Sequence, residues 1–123
     1  MRLLYIYLII IFAATTVNAK KLTIYTYDSF VSEWGPGPII EKEFEEKYNI
    51  DLELVAVDSA ATLLNKVILE GPNTKADVVL GLDMNLFDAA QNSGLFISHS
   101  LDNLEKNINL PVKWDSEVFV PYN

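Results

Sequence analysis

The sequence predicts an α/β domain with a mostly parallel β-sheet and helices flanking it. Strand-like and helix-like segments alternate along the chain after residue 20, as they do in parallel α/β folds. Residues 76–82 read Ala-Asp-Val-Val-Leu-Gly-Leu, a largely apolar run that is typical of a parallel strand buried on both faces. In addition, an aspartate directly follows each of three predicted strands: Asp28, Asp58 and Asp83.

The first predicted strand covers residues 22–27, which are mainly apolar or β-branched. The turn Gly35-Pro-Gly-Pro38 then leads into a helix predicted over residues 38–48, because proline suits the first position of a helix. Apolar residues recur there at i, i+4 and i+8, and we expect them to form the buried stripe of this helix: Ile40, Phe44 and Tyr48.

A second strand is predicted at Asp51–Val57, and a helix capped by Asp58 or Ser59 at Ala60–Glu70. The dipeptide Gly71-Pro72 is a stop signal for that helix. Its buried stripe is predicted to consist of five residues: Ala60, Leu63, Leu64, Val67 and Ile68.

The remainder of the chain is predicted to be less regular. After the third strand at 76–82, a short helix is expected near residues 85–91, ending at Asn92–Gly94. Residues 96–108 are predicted to be irregular, with one short helical turn after Ser100. Residues 117–121 are predicted to form a last strand.

The three aspartates are expected to lie on one rim of the sheet. Right-handed crossovers bring the carboxyl ends of parallel strands together, and ligands of open α/β sheets bind at those ends. Asp28, Asp58 and Asp83 each also fit the role of a helix cap, and both interpretations stay open. Even three caps would make this rim electronegative, which favours a cationic ligand.

Aromatic residues accompany this rim. Tyr25 and Tyr27 share one face of the first strand; one belongs to the core, and Tyr27, next to the loop, is the better candidate for a cleft. Trp34 either stacks on a ligand or covers the proline turn, whereas we interpret Trp114 as a packing residue. An aromatic face beside a carboxylate suits a flat, positively charged organic molecule.

The start of the helix at residue 60 offers a second kind of contact. The backbone N–H groups of Ser59 and Ala60 are placed to hold an anionic or hydroxyl group of a ligand. The alternative is an ordinary capped helix, which every fold of this kind contains.

The N-terminus reads as a secretory signal peptide covering residues 1–19. Arg2 precedes an apolar run at residues 3–14, and Val17-Asn18-Ala19 fits a cleavage site after Ala19. An apolar run of 12 residues is short of the roughly 20 that a membrane-spanning helix needs. The chain has no cysteine, which is compatible with export to a bacterial periplasm without disulfides.

Charge and residue types exclude several functions. The chain has 17 acidic residues and nine Lys and Arg, and removal of Arg2 with the signal peptide leaves a net charge of −9. This charge argues against nucleic acid or an anionic membrane as a partner. One histidine without cysteine does not indicate a zinc site, and we interpret His99 as a solvated loop residue. No nucleophile–base arrangement, Gly-x-Gly-x-x-Gly run or Walker loop is present, so the sequence does not predict an enzyme.

Several ordered runs resemble one family. They are Leu-Thr-Ile-Tyr-Thr-Tyr-Asp-Ser-Phe (22–30), Trp-Gly-Pro-Gly-Pro (34–38), Leu-Leu-Asn (63–65), Lys-Ala-Asp-Val-Val-Leu-Gly-Leu-Asp (75–83) and Phe-Val-Pro (119–121). In these runs residues 20–123 resemble the N-terminal part of thiamine-binding periplasmic proteins, the soluble receptors of bacterial thiamine ABC importers. Binding proteins for iron, polyamines and sulfate share the architecture but not these motifs.

The resemblance implies a type II periplasmic binding protein fold, with residues 20–123 as an N-terminal lobe truncated before the second lobe. It implies no cofactor; thiamine or a thiamine phosphate is the transported ligand, and an ABC permease in the inner membrane is the partner. A second chain supplying the missing lobe is a further partner to be considered. Carried over by position, the first-lobe contacts fall at Tyr27 and at Ser59–Ala60, where the family typically has Asp-Gly. The predicted ligand-binding residues are Tyr27, Asp28, Trp34, Asp58, Ser59 and Ala60.

Two other functions stay open at this point. One is a receptor for another cation, either ferric iron or a polyamine. The other is no binding function at all, if the chain is the remnant of a split or truncated gene.

Overall fold

A computed structural model describes residues 20–101, 114 and 116–122. The predicted signal peptide at residues 1–19 lies outside the described residues. So does the helical turn predicted after Ser100, which falls on residues from 102 onward.

The described chain contains a three-stranded parallel sheet in the order β2-β1-β3. Strand β1 spans Lys21–Tyr27, β2 spans Asp51–Val57 and β3 spans Val78–Val79. The register aligns Tyr25 with Val55 on one side and with Val79 on the other. Parallel pairing on both sides of β1 confirms the predicted α/β class with a mostly parallel sheet.

Helices α1 (Asp28–Val31) and α2 (Gly37–Tyr48) follow β1. Gly37 begins α2 close to α1, where a Cβ would lie 2.6 Å from the carbonyl oxygen of Phe30. The predicted stripe of α2 was wrong, because Ile40 is 42% exposed and Tyr48 52% exposed, and Phe44 is only half-buried. Among the described elements α2 rests on β2 and α1. Since β2 is the edge strand of the described sheet, that sheet ends before it covers the whole stripe.

Helix α3 spans Ala60–Glu70, as predicted. Its N-terminal cap is Ser59, whose hydroxyl oxygen accepts a hydrogen bond from the backbone N–H of Thr62, 3.2 Å away. Leu63, Leu64 and Val67 are buried, whereas Ala60 is only half-buried and Ile68 is exposed. The hydrophobic core forms where Leu63 and Val67 meet Tyr25 of β1.

The third strand is much shorter than predicted and is not buried on both faces. Only Val78 and Val79 form strand pairs, and Val78 is exposed. The backbone N–H groups of Asp77 and Leu80 still donate to the carbonyls of Thr23 and Tyr25, both at 2.9 Å. Beyond them the backbone leaves the strand conformation at Gly81, whose φ is +109°. Within the described residues β3 pairs only with β1, which leaves its other edge without a covering strand.

The last described segment is not a strand. Instead of extended pairing at residues 117–121, the backbone bends: the N–H groups of Val118 and Phe119 both donate to the Ser116 hydroxyl. Within the described part of the chain a single backbone bond reaches this segment from elsewhere, from the N–H of His99 to the carbonyl of Glu117 at 2.9 Å. A strand needs a partner along its length, and one bond across to residue 99 does not supply one.

His99 is held in place, contrary to the solvated loop residue that the sequence predicts. It is half-buried. Its Nδ1 accepts from the N–H of Leu101 at 3.0 Å, which leaves Nε2–H to donate to the carbonyl oxygen of Ser116 at 3.2 Å.

The short helix predicted near residues 85–91 is present as a 3-10 turn, Met84–Leu86, followed by α4 at Phe87–Asn92. Trp114 packs edge-on against Phe87 with ring centroids 6.2 Å apart. Its indole N–H donates to the carbonyl oxygen of Phe119 at 2.8 Å. Trp114 is therefore a packing residue, as predicted. In the part of the chain that the structure describes, no helix is both long and apolar enough to cross a bilayer.

Truncation of the core on α3 should be costly. Leu63 is 0% exposed and Leu69, on the same helix, is 86% exposed. Leu63→Ala is expected to lower the free energy of unfolding by about 2–5 kcal/mol through lost burial and a cavity, whereas Leu69→Ala should change it by less than about 0.5 kcal/mol. Urea denaturation followed by circular dichroism measures both; equal losses would contradict the described core.

The end of α3 should make stability depend on pH. The hydrogen bond from Lys66, 2.6 Å long, lowers the pKa of the Glu70 carboxyl from its ordinary 4.5, against the opposing effect of burial; bonds from Thr74 and Tyr25 add to the lowering. A carboxyl group whose pKa is lower in the folded than in the unfolded protein stabilises the fold at any pH above its unfolded-state pKa. This stabilisation is lost as the pH falls through the folded-state pKa. Glu70→Gln should therefore lower Tm at pH 7 and have little effect at strongly acidic pH.

The matched control is Glu46→Gln. Glu46 also pairs with a lysine four residues away, but the Lys42 contact is 3.9 Å and exposed, so its removal should leave Tm nearly unchanged. Thermal denaturation of all three proteins across the acidic range gives the comparison. A Glu70→Gln deficit that is the same at acidic and neutral pH would rule out the ionic origin.

Candidate ligand-binding site

The carboxyl ends of the three strands meet at a shallow cavity of about 430 Å³. Tyr27 is the last residue of β1, Asp58 follows β2, and the chain after β3 reaches the same place. This is the rim at which open α/β sheets bind ligands. The lining residues are Tyr27, Asp58, Ser59, Ala60, Gly81, Leu82, Asp83 and Tyr122.

Tyr27 occupies a constrained position in this rim. Its side chain is half-buried, and its ring makes an edge-on contact with Phe30 at a centroid distance of 5.9 Å. Tyr25, two residues earlier on the same face of β1, is buried in the core. The two tyrosines therefore divide as the sequence predicts, with one in the core and one at the cavity.

The turn from β2 into α3 contributes a carboxylate and a helix start. Ser59 is the cap, and its hydroxyl is already engaged with the N–H and hydroxyl of Thr62, the latter 2.9 Å away. Asp58 is therefore not the cap; it lines the cavity and is exposed. No described residue binds its carboxylate, which can therefore attract a cation, while Ser59 has a structural role already.

Asp83 combines both roles that the sequence left open. Its carboxylate accepts a hydrogen bond from the backbone N–H of Asn85 at 2.8 Å and so caps the 3-10 turn that follows. It also lines the cavity. With Asp58 it places two acidic side chains on the lining, and no lysine or arginine is among the described lining residues, so the cavity is electronegative.

Asp28 and Trp34 do not line this cavity. Asp28 lies in the first turn of α1 with an exposed side chain. Trp34 is 81% exposed, in the turn before α2. The structure thus brings together Tyr27, Asp58, Ser59 and Ala60, but neither of these two. Ligand contacts remain a prediction for all six.

Three lining residues were not predicted from the sequence as site candidates: Gly81, Leu82 and Tyr122. Gly81 lay inside a predicted strand, where nothing distinguishes it from a packing glycine. Tyr122 directly follows the Phe-Val-Pro run at 119–121, but nothing in that run indicates that it meets Tyr27. Its hydroxyl donates to the Tyr27 hydroxyl oxygen at 3.2 Å. Partial burial and this bond raise the pKa of Tyr122 to about 12, so the phenol is neutral at physiological pH.

A larger apolar cavity of about 660 Å³ adjoins the first. It shares Gly81, Leu82, Asp83 and Tyr122 with the rim cavity and continues between α4 and the 119–122 segment. The remaining lining is mostly apolar, including Phe87, Trp114 and Phe119. The rim cavity thus has acidic and polar residues in its own lining and adjoins an apolar cavity on one side.

A third cavity, of about 400 Å³, includes the first residues of β1 and β2, Lys21 and Asp51. Two of its charged side chains are paired, since Lys21 lies 3.0 Å from Glu53. That hydrogen bond raises the pKa of Lys21 and lowers the pKa of Glu53. Paired charges at the amino ends of the strands do not indicate a ligand site. Among the described residues no group of three or more His, Asp or Glu side chains could hold a metal ion.

The architecture is that of part of a lobe of a periplasmic binding protein. A solved periplasmic thiamin-binding protein superimposes with a TM-score of 0.73 and 47% identity, covering 80% of this chain and 30% of that one. A ferric-binding protein from Campylobacter jejuni superimposes with a TM-score of 0.57 and 30% identity, covering 69% and 25%. No protein-family model matches the chain.

Within that class, the similarity is to thiamine-binding proteins. The thiamine-binding periplasmic protein of Escherichia coli strain K12 is 45% identical over 116 residues, which is 94% of this chain and 35% of the relative. The chain therefore spans about a third of the length of the curated relatives it matches. The resemblance inferred from the sequence motifs is confirmed.

Separating the roles of Asp58 and Ser59 gives a test of this site. Ser59→Ala removes the α3 cap and should lower the free energy of unfolding by about 1 kcal/mol. Asp58→Asn keeps the shape and removes a charge that caps nothing, so stability should change by less than about 0.5 kcal/mol. Urea denaturation of the two variants measures this. A larger loss for Asp58→Asn than for Ser59→Ala would reverse the assignment.

Proposed function

We propose that this chain forms one wall of a periplasmic solute-binding protein that takes up thiamine or its phosphate esters and delivers them to an ABC importer. In this proposal the protein is not an enzyme and holds no cofactor; thiamine is the transported ligand. The chain reaches the periplasm through the signal peptide predicted at residues 1–19, which fits the periplasmic relatives it matches.

The observation that carries the proposal is the 45% identity to a thiamine-binding periplasmic protein across 94% of this chain. The placement of the predicted contact residues supports it. Four of them line one cavity at the carboxyl ends of the strands: Tyr27, Asp58, Ser59 and Ala60.

The lining suits the chemistry of thiamine, a flat cation with a polar tail. The face of Tyr27 offers a cation–π contact, and the carboxylates of Asp58 and Asp83 favour positive charge beside it. The N–H groups at the start of α3 are suited to a hydroxyl or phosphate group. These contacts would fix the ligand at both ends.

Uptake in this proposal proceeds by closure of two lobes over the ligand, followed by docking on an inner-membrane permease. The residues described here form one wall of the cleft. Because the chain spans about a third of its relatives, we assign the opposite wall to polypeptide outside these residues, whether in the same protein or in a second chain.

Ferric iron is the competing ligand, because a ferric-binding protein shares the fold at 30% identity. Iron would need tyrosinate or carboxylate ligands, and among the described residues no group of three or more His, Asp or Glu side chains could hold a metal ion. A polyamine is the other rival; its ammonium groups would gain from the acidic residues and from the face of Tyr27, but it has no hydroxyl or phosphate group for the N–H groups at the start of α3.

Calorimetric titration with thiamine tests the proposal, on the protein in the longest form that the cell exports, with any second chain that copurifies. We expect thiamine to bind, and Tyr27→Ala to weaken binding by about 30-fold, the equivalent of a desolvated cation–π contact of ~2 kcal/mol. Tyr48→Ala removes an exposed tyrosine on α2 and should leave the affinity unchanged. Binding of ferric iron or spermidine without binding of thiamine would overturn the proposal.

A further inference from the structure

We propose that Gly81 and Tyr122 are positioning residues that hold the Tyr27 ring in the wall of the rim cavity and aim its hydroxyl proton at the ligand. The consequence for thiamine rests on the proposed function. The placement of the ring does not, since it follows from contacts within the chain.

Gly81 lies at the edge of the ring, beside its Cδ1–Cε1 bond. If residue 81 carried a Cβ, that atom would lie 2.5 Å from Cε1 of Tyr27, closer still to Cδ1 and 3.5 Å from Cγ. The aromatic ring therefore occupies the space that any other side chain would need at this position. A larger residue at 81 would force the ring out of its place.

A comparison with other glycines shows that backbone conformation is not the whole reason for Gly81. Gly71, Gly81 and Gly94 all have positive φ, at 53°, 109° and 67°. A Cβ at Gly71 or Gly94 would meet nothing within 4 Å. At Gly71 and Gly94 glycine is needed only for the positive φ. At Gly81 it is needed for the positive φ and also to leave room for the Tyr27 ring.

Tyr122 fixes the other end of the ring. Its hydroxyl donates to the hydroxyl oxygen of Tyr27 at 3.2 Å, across a separation of 95 residues. Tyr122 stays protonated as a donor, because its pKa is raised to about 12 by burial and by this bond. The ring of Tyr27 is thus held at its Cδ1–Cε1 side by Gly81 and at its oxygen by Tyr122.

This arrangement determines what Tyr27 can offer to a ligand. A phenol oxygen accepts hydrogen bonds and has one proton to donate. Tyr122 fills an acceptor position, and no described residue accepts the Tyr27 proton. Tyr27 therefore presents a flat face together with a free donor, which suits an aromatic cation bearing a hydroxyl or phosphate oxygen within reach of that proton.

The first test needs no ligand. In protein with 13C-labelled tyrosine, nuclear Overhauser contacts are expected between the Tyr27 ring and the Gly81 α-protons, with Tyr27→Phe used for assignment. Gly81→Ala should shift the Tyr27 ring signals, and Gly94→Ala, with the same sign of φ and no neighbour, should not. Tyr27 signals that are unchanged in Gly81→Ala would overturn the proposal.

Tyr122→Phe keeps the test decisive if Gly81→Ala fails to fold. It removes one hydroxyl group from a half-exposed side chain and leaves the ring. We expect the ζ-carbon resonance of Tyr27 to move, because that carbon bears the oxygen that loses its donor. A stationary resonance would contradict the link between the two tyrosines.

The second test uses thiamine affinity in a double-mutant cycle. Gly81→Ala should weaken binding by about 30-fold, as Tyr27→Ala does, because the ring no longer faces the ligand. In the Tyr27→Ala background Gly81→Ala should cost nothing further, since the space that the ring filled beside residue 81 is then vacant. Gly94→Ala should bind like the wild type. Equal losses from Gly81→Ala with and without the Tyr27 ring would overturn the positioning role.

The two tests separate this proposal from the proposed function. If the ring signals behave as expected and the wild type does not bind thiamine, the proposed ligand is wrong and the positioning of Tyr27 stands. If thiamine binds and the ring signals do not respond to Gly81→Ala, the ligand stands and the positioning role is wrong.

Discussion

The structure depends on the pairing of β1 with a parallel strand on each side. That pairing puts Tyr25 level with Val55 and Val79 and so brings the ends of all three strands to one edge. Because side chains alternate along a strand with a period of two, Tyr25 and Tyr27 point to the same face. Tyr25 meets Leu63 and Val67 in the core, and Tyr27, where the strand ends, is left at the cavity. One register therefore defines both the core and the site.

The hydroxyl groups of these two tyrosines have different partners, and the difference separates stability from binding. The Tyr25 hydroxyl donates to the Glu70 carboxylate at 3.3 Å, and the Lys66 ammonium lies 4.9 Å from the centroid of the Tyr25 ring. Tyr25 therefore links the last turns of α3 to the sheet. The Tyr27 hydroxyl instead accepts from Tyr122, in the segment that borders both cavities. Substitutions near Glu70 thus act on the fold, whereas substitutions near Tyr122 act on the rim.

Elements whose signals are local were predictable from the sequence. Strand β2 and helix α3 carry their own periodicity and cap and have the predicted bounds. The stripe of α2, the length of β3 and the state of residues 117–121 depend instead on what lies beside them, and local patterns do not contain that information. The site divides in the same way. Tyr27 and Asp58 follow from strand ends, but the relations of Gly81 and Tyr122 to Tyr27 arise only when distant segments meet.

The bond between Tyr122 and Tyr27 spans 95 residues, and this separation imposes an order on folding. Strands β1 and β2 and helix α3 lie within residues 21–70, so the core they share can form from a short stretch of chain. Closing the much longer loop to residue 122 costs more conformational entropy, and contacts of high sequence separation form slowly. The core would therefore assemble first, and the rim of the cavity would be completed last, when Tyr122 reaches Tyr27.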